Sequence, residues 1–156
     1  SRLEVKREEI LFQPLIDETF NQLKYATNAG LLVEKIIHVN QEQPFFSDRW
    51  RLKVILKNII SNSIRYRNGR DPVVEIDVAI NGSSAKLSIK DNGRGIAPHH
   101  LDHVCKMFYR ATDEGAGSGL GLYIVKETID KLKGEIDIQS EEGKGTTVTL
   151  NIPELA

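Results

Sequence analysis

Asn58, Asn62, Arg65 and Tyr66 are spaced to share one stripe of a helix. At about 100° per residue they fall within roughly 120° of arc. That stripe borders the apolar arc of Leu52, Ile55, Leu56, Ile59 and Ile60 rather than lying opposite it. Two amides, a guanidinium and a phenol placed there can meet a metal cation, a phosphate and an aromatic ring together, although each alone also fits a solvated helix edge. Asp91 is a second marker. Its parity matches Leu87 and Ile89, so its carboxylate points to the core side of a strand end. A carboxylate there needs a donor. Two kinds of donor remain open: a partner within the fold, such as a backbone N–H or an arginine, or a ligand such as the exocyclic amine of a base. Gly93 and Gly95, which follow at once, let a backbone approach a ligand closely and favour the second.

Gly115-Ala-Gly117-Ser-Gly119-Leu-Gly121 leads straight into an apolar helical pattern. Backbone N–H groups and the helix N-terminus would together cradle an anion. The run is not a P-loop, because the Gly-Lys-Ser/Thr ending is missing. It is not a dinucleotide fingerprint either, because a hairpin and a long loop precede it instead of one short strand. His99, His100 and His103 lack the cysteines or carboxylates that would complete a metal site and read as surface histidines at a helix start. Cys105, among apolar neighbours, reads as packing, and Trp50 as core or a helix-start staple.

The elements that must position these groups are legible from the periods. Leu15, Ile16, Phe20 and Leu23 recur at helical spacing over 13–27, and Asn28-Ala-Gly30 supplies a stop. A short strand is expected over 33–39. Ser47-Asp48 caps a helix running to about Tyr66, ended by Asn68-Gly69. The period then changes to two: Val74, Ile76, Val78 and Ile80 alternate, Asn81-Gly82 turns, and Ala85, Leu87 and Ile89 return. Leu122, Val125, Ile129 and Leu132 share a helical face that Gly134 ends. Strands over 135–140 and 146–152 flank the turn Gly143-Lys-Gly145. The sum is an α/β (α+β) two-layer sandwich, a mixed and mostly antiparallel sheet covered on one face by three main helices.

The chain has 156 residues, one domain's length, and 40% of them are hydrophobic. With 21 basic and 22 acidic residues the net charge is −1, so the long-range field of a general nucleic-acid or anionic-membrane binder is missing. A single cysteine excludes an internal disulfide and fits a reducing, cytoplasmic setting. No apolar run approaches the ~18 residues of a membrane span. Residues 1–7 read as the end of an upstream helical hairpin or linker, and 8–156 as the domain itself.

Four blocks, in order, resemble the catalytic ATP-binding domain of sensor histidine kinases and the wider superfamily of gyrase, mismatch-repair and heat-shock chaperone ATPases. Asn58-Ile-Ile-Ser-Asn62-Ser-Ile-Arg65-Tyr66 resembles the N box, Asp91-Asn-Gly93-Arg-Gly95-Ile the G1 box and Met107-Phe108-Tyr-Arg110 the F box. Gly117-Ser-Gly119-Leu120-Gly121-Leu122 resembles the G2 box, with Gly143-Lys-Gly-Thr146 on the closing strand. The resemblance implies a Bergerat-type fold that binds ATP with Mg²⁺. It implies that Asn62 holds the metal with Asn58 nearby, that Arg65 contacts phosphate where lysine is usual, and that Tyr66 lies against the nucleotide. Asp91 would accept the adenine amine, Gly93 and Gly95 would make room for the base, and Phe108 would anchor a mobile lid. Arg110 would approach the γ-phosphate, Gly117, Gly119 and Gly121 would wrap the triphosphate, and Leu120, Leu122 and Thr146 would belong to the ATP site.

In the clamp ATPases of the superfamily, a glutamate four residues before the metal asparagine activates water. Asn58 stands there, an amide that accepts no proton at neutral pH. The resemblance therefore implies transfer of the γ-phosphoryl to a histidine on a separate dimerisation and phosphoacceptor hairpin, then to a response regulator. An ATP-driven clamp or a non-catalytic nucleotide sensor is the alternative. No histidine of this chain lies in an acceptor motif. Ser63 stands where alanine is usual and Cys105 where phenylalanine is common. The isolated domain is expected to be a monomer without membrane contact and its parent a homodimer, with membrane anchoring of the parent left open.

Overall fold

The computed structural model describes residues 4–26, 32–105 and 121–156. In chain order the elements are β1 (Glu8–Glu9), α1 (Phe12–Ala26), β2 (Glu34–Asn40), β3 (Phe46–Ser47), α2 (Arg49–Arg65) and β4 (Val73–Asn81). Then follow β5 (Ser84–Asp91), α3 (Pro98–Leu101), α4 (Gly121–Lys131), β6 (Glu135–Glu141) and β7 (Gly145–Pro153). Five strands form the main sheet in the order β2-β4-β5-β7-β6. β2 runs parallel to β4 and the other neighbours are antiparallel, so the expected mixed sheet is met.

Alternation decides which face of the sheet is covered. Val74, Ile76 and Val78 of β4, Ala85, Leu87 and Ile89 of β5, and Val148, Leu150 and Ile152 of β7 are all buried. They share one core with Leu15, Ile16 and Phe20 of α1, Ile55, Leu56 and Ile60 of α2, and Val125 and Ile129 of α4. α2 packs against both α1 and α4. Glu75, Asp77, Lys86 and Lys90 alternate to the opposite face, which is why a single helical layer suffices.

The two long helices begin differently. Asp48 caps α2: its side chain accepts the Arg51 N–H at 3.1 Å and the Arg51 guanidinium at 2.6 Å. Both residues are buried, and Asp48 also accepts the Lys6 N–H at 3.0 Å. Burial opposes ionisation of Asp48, but these hydrogen bonds outweigh it and hold its pKa below the usual aspartate value. α1 borrows its cap from the loop that follows β2. Gln41 Oε1 accepts the Phe12 N–H at 3.1 Å, while Gln41 Nε2 donates to the Ile10 carbonyl at 2.7 Å. Pro14, in the first turn, has no N–H to leave orphaned.

Three local expectations change. β1 and β3 pair as a small second sheet, Glu8 with Ser47 and Glu9 with Phe46, which no periodicity announces. The β4–β5 hairpin closes one residue later than Asn81-Gly82: Asn81 pairs with Ser84, and Gly82 takes φ +66° at the first loop position, as a II′ turn requires. Trp50 is 38% exposed and is neither core nor staple, because it lies about 200° around α2 from the inward Leu52.

Candidate functional site

The site collects where α2 ends, β5 ends and the β6–β7 turn meets them. Asp91 is the last residue of β5, and both its oxygens are engaged. Oδ1 accepts the Gly93 N–H at 2.9 Å and the Thr146 N–H at 3.2 Å. Oδ2 lies 2.9 Å from Ser63 Oγ on α2. Burial pushes the Asp91 carboxyl above the usual aspartate range, and the Gly93, Ser63 and Thr146 donors hold the rise back. Fold-internal donors thus meet the carboxylate, and a ligand donor is an addition to them rather than a replacement.

The segment after Asp91 is stitched on both sides. Asn92 Oδ1 accepts the Val73 N–H at 2.9 Å, which ties the loop to the start of β4. Arg94 N–H donates to the Tyr66 carbonyl at 3.0 Å, and the Arg94 carbonyl accepts the Gly143 N–H at 2.5 Å. Ile96 N–H donates to Ser140 Oγ at 2.7 Å, and Ser140 Oγ lies 2.8 Å from Thr146 Oγ1.

The glycines serve this packing. A Cβ on Gly95, at φ +73°, would lie 2.0 Å from the Glu141 carbonyl oxygen, and one on Gly93 would lie 2.8 Å from the Tyr66 carbonyl oxygen. The space a Cβ would need at Gly93 and Gly95 is taken by the chain's own backbone, so the missing side chains serve this packing. Gly145 behaves alike: at φ +144° its Cβ would lie 2.0 Å from the Asp91 carbonyl oxygen. No sequence pattern flagged that contact.

The stripe on α2 is present as expected. Asn62 Oδ1 accepts from Arg65 Nη1 at 3.1 Å, and Arg65 Nη2 reaches Ser61 Oγ at 3.3 Å. The Arg65 guanidinium stands 5.9 Å from the centre of the Tyr66 ring. Gly121, where α4 is first described, faces the Asn62 amide so closely that a Cβ there would lie 3.2 Å from Asn62 Oδ1. Asn58 instead donates Nδ2 to the Val54 carbonyl at 2.7 Å, a bond along its own helix. Asn62, Arg65, Tyr66 and Gly121 therefore sit together, one residue along α2 from the Ser63–Asp91 pair. Leu122 is half-buried on α4. Phe108, Arg110, Gly117, Gly119 and Leu120 lie outside the described residues.

Among the described residues no three His, Cys, Asp or Glu side chains group to hold a metal. His99 and His100 pack against each other at the start of α3, ring centres 4.0 Å apart and planes tilted by 42°. A Mg²⁺ ion fits such a chain where a ligand's phosphates and retained waters supply most of the oxygens. The donor present is a hard amide oxygen, Asn62 Oδ1, and it already faces a cation.

Residues 47–156 match the family described as "Histidine kinase-, DNA gyrase B-, and HSP90-like ATPase". The chain belongs to it. Sensor protein SrrB of Staphylococcus aureus is 35% identical over 157 residues, an alignment covering 97% of this chain and 26% of SrrB. The chain thus spans about a quarter of that relative. Among solved structures, ShkA in complex with AMPPNP superposes with a TM-score of 0.82 at 23% identity, covering 100% of this chain and 33% of ShkA. The mycobacterial sensor histidine kinase MprB gives 0.78 at 23% identity, covering 97% of this chain and 98% of that one. The histidine kinase-like ATPase fold is shared with both.

Proposed function

We propose that this chain is the ATP-binding catalytic domain of a sensor histidine kinase, holding Mg-ATP and passing its γ-phosphoryl to a histidine outside residues 1–156. The observation that carries this reading is Asp91. Its carboxylate is fixed by three donors at a strand end, beside an amide and a guanidinium on α2. In this reading Asp91 accepts the adenine amine and Tyr66 lies along the nucleotide. Asn62 would hold Mg²⁺ through Oδ1, and Arg65, which donates to that oxygen, would be at hand for the phosphates. Mg²⁺, when bound, neutralises phosphate charge. Arg65 and Arg110 would add positive charge, and the glycine run ending at Gly121 would supply N–H donors.

The chemistry asks for positioning rather than a strong base. A neutral imidazole nitrogen attacks the γ-phosphorus, an N–P bond forms, the bond to the β–γ bridging oxygen breaks, and ADP leaves with the electron pair. The imidazole's other nitrogen then gives up its proton to solvent. A response-regulator aspartate takes the phosphoryl group next. The parent is a homodimer, and this domain works at the cytoplasmic side.

Asn58 favours transfer over hydrolysis. Its amide is no base, and its N–H is engaged with the Val54 carbonyl. Calorimetric titration with Mg-ATP tests the reading. Saturable binding without trailing heat of hydrolysis is expected, followed by an acid-labile phosphoramidate when a histidine-bearing hairpin is added. Steady hydrolysis would favour the ATP-driven clamp. Binding without transfer would favour the nucleotide sensor.

A further inference from the structure

Ser63 has no role in the family pattern, which usually places alanine there, yet it is 4% exposed and touches the base-reading carboxylate. Its Oγ lies 2.9 Å from Asp91 Oδ2 and 3.1 Å from the Ile59 carbonyl oxygen. A hydroxyl has one proton, and an ionised carboxylate is the stronger acceptor, so the proton goes to Asp91. A carboxylate offers about four lone-pair sites. The Gly93 and Thr146 N–H groups take the two on Oδ1, and Ser63 takes one on Oδ2.

One acceptor site remains, on Oδ2, and the bond from Ser63 sets its direction. We propose that Ser63 is a positioning residue for base selection: it fixes Asp91 so that a single acceptor site faces a ligand base and selects one that carries an exocyclic amine. The inference rests on the nucleotide reading above. An alanine at 63 removes the proton that occupies Oδ2. The oxygen is then left with two open sites and the carboxylate is held from one side only. A base amine can still donate to it, but against a less fixed acceptor and in competition with water. A base with hydrogen in place of the amine makes no such bond and is indifferent to the change.

The test pairs two ligands with two chains. Mg-ATP and Mg-purine-riboside triphosphate, which lacks the amine, are titrated into the wild-type chain and into Ser63→Ala. Alanine is a strong helix former, so α2 is retained in the variant, and a thermal melt verifies it. The wild type should prefer ATP by about tenfold or more, as a hydrogen bond to a charged group allows. Ser63→Ala should lower that preference about three- to tenfold while binding the amine-free nucleotide within about twofold of wild type. An equal loss for both ligands, or an unchanged preference, overturns the role of Ser63. If the wild type binds neither nucleotide, the nucleotide reading itself falls. If it binds both equally, the base-reading role of Asp91 falls.

Discussion

At Asp91 the donor pattern predicts what a one-atom change does. In Asp91→Asn the amide oxygen takes the place of Oδ1, because the Gly93 and Thr146 N–H groups demand an acceptor there. The NH₂ group then faces Ser63, whose hydroxyl can accept it while donating to the Ile59 carbonyl. The fold therefore survives, but the base amine meets a donor. ATP binding should weaken about tenfold to a hundredfold and ATP-over-GTP preference should vanish; retained preference, read by competition titration, would sink the role. Stability should not fall with it. Burial raises the Asp91 pKa in the folded chain, so its contribution is full below the ordinary value of 3.8 and is lost as pH rises through the raised one. At neutral pH the neutral amide is spared that cost, and urea unfolding should find the variant at least as stable as wild type. Asn62→Ala separates metal from fold in another way: nucleotide affinity should drop about tenfold or more with Mg²⁺ and little in EDTA. Equal loss in both would remove Asn62 as the metal ligand. Much of this site was legible, because the α2 stripe and the Asp91 parity follow from helix and strand periods alone. Ser63 was not, because its importance lies in a partner 28 residues away that no period reveals. Nor was the use of Gly93 and Gly95, since a missing Cβ shows that something comes close but not what.

The start of α2 is the element whose energetics are most concentrated. Asp48 and Arg51 are both buried, their side chains 2.6 Å apart, with Asp48 also accepting the Lys6 and Arg51 N–H groups. Breaking such a pair from one side leaves a buried charge unmatched, so Asp48→Asn should cost about 3–5 kcal/mol in denaturant unfolding at pH 7. The pH dependence has a fixed sign. The folded pKa of Asp48 lies below the ordinary 3.8, so its contribution is full above that value and is lost as pH falls through the folded pKa. The gap between wild type and variant should therefore close only below about pH 3.8; a gap constant to lower pH would mean that Asp48 acts through cap geometry and not charge. Elements of this length read well from sequence. α2, β4, β5 and β7 carry their own periods, and the Asp48 cap precedes its helix directly. The two-residue β1 and β3 do not, because two residues define no period and their pairing joins segments 37 to 39 positions apart. Trp50 shows the limit from the other side: a large apolar residue suggests burial, but its place around the helix decides.

For the molecule as a whole, the open issue is where the domain starts. A boundary before Glu8 follows from the charged, aperiodic opening of the chain, yet the residues on its upstream side are bonded to the body. Lys6 N–H donates to Asp48, the Glu4 carbonyl accepts from the Arg51 guanidinium at 3.2 Å, and Arg7 Nε donates to the Leu155 carbonyl at 3.2 Å. The Arg7 guanidinium also lies 3.9 Å from the centre of the Phe46 ring. Phe46 in turn accepts the Leu155 N–H on its carbonyl and donates its own N–H to Glu154 Oε2 at 3.0 Å. The two ends of the described chain thus close on β3 and the α2 cap, one clasp made from 4–7, 46–51 and 154–155. Among the described residues, removing 1–7 deletes one N–H bond to a buried carboxylate, the Arg7 bond to the Leu155 carbonyl and one cation–π contact, and strips Arg51 of an acceptor. From the usual worth of such contacts, the loss should be about 2–4 kcal/mol. In a chain of this length that is roughly 5–15 °C in Tm, with the urea m-value nearly unchanged because little apolar surface is lost. A truncated chain as stable as the full one would place the boundary at Glu8 and make 4–7 a passive lead-in. The expected drop would instead make those residues part of the domain, so that any upstream segment is coupled to α2, the helix that bears Asn62, Ser63 and Arg65, through a buried ion pair rather than a loose tether.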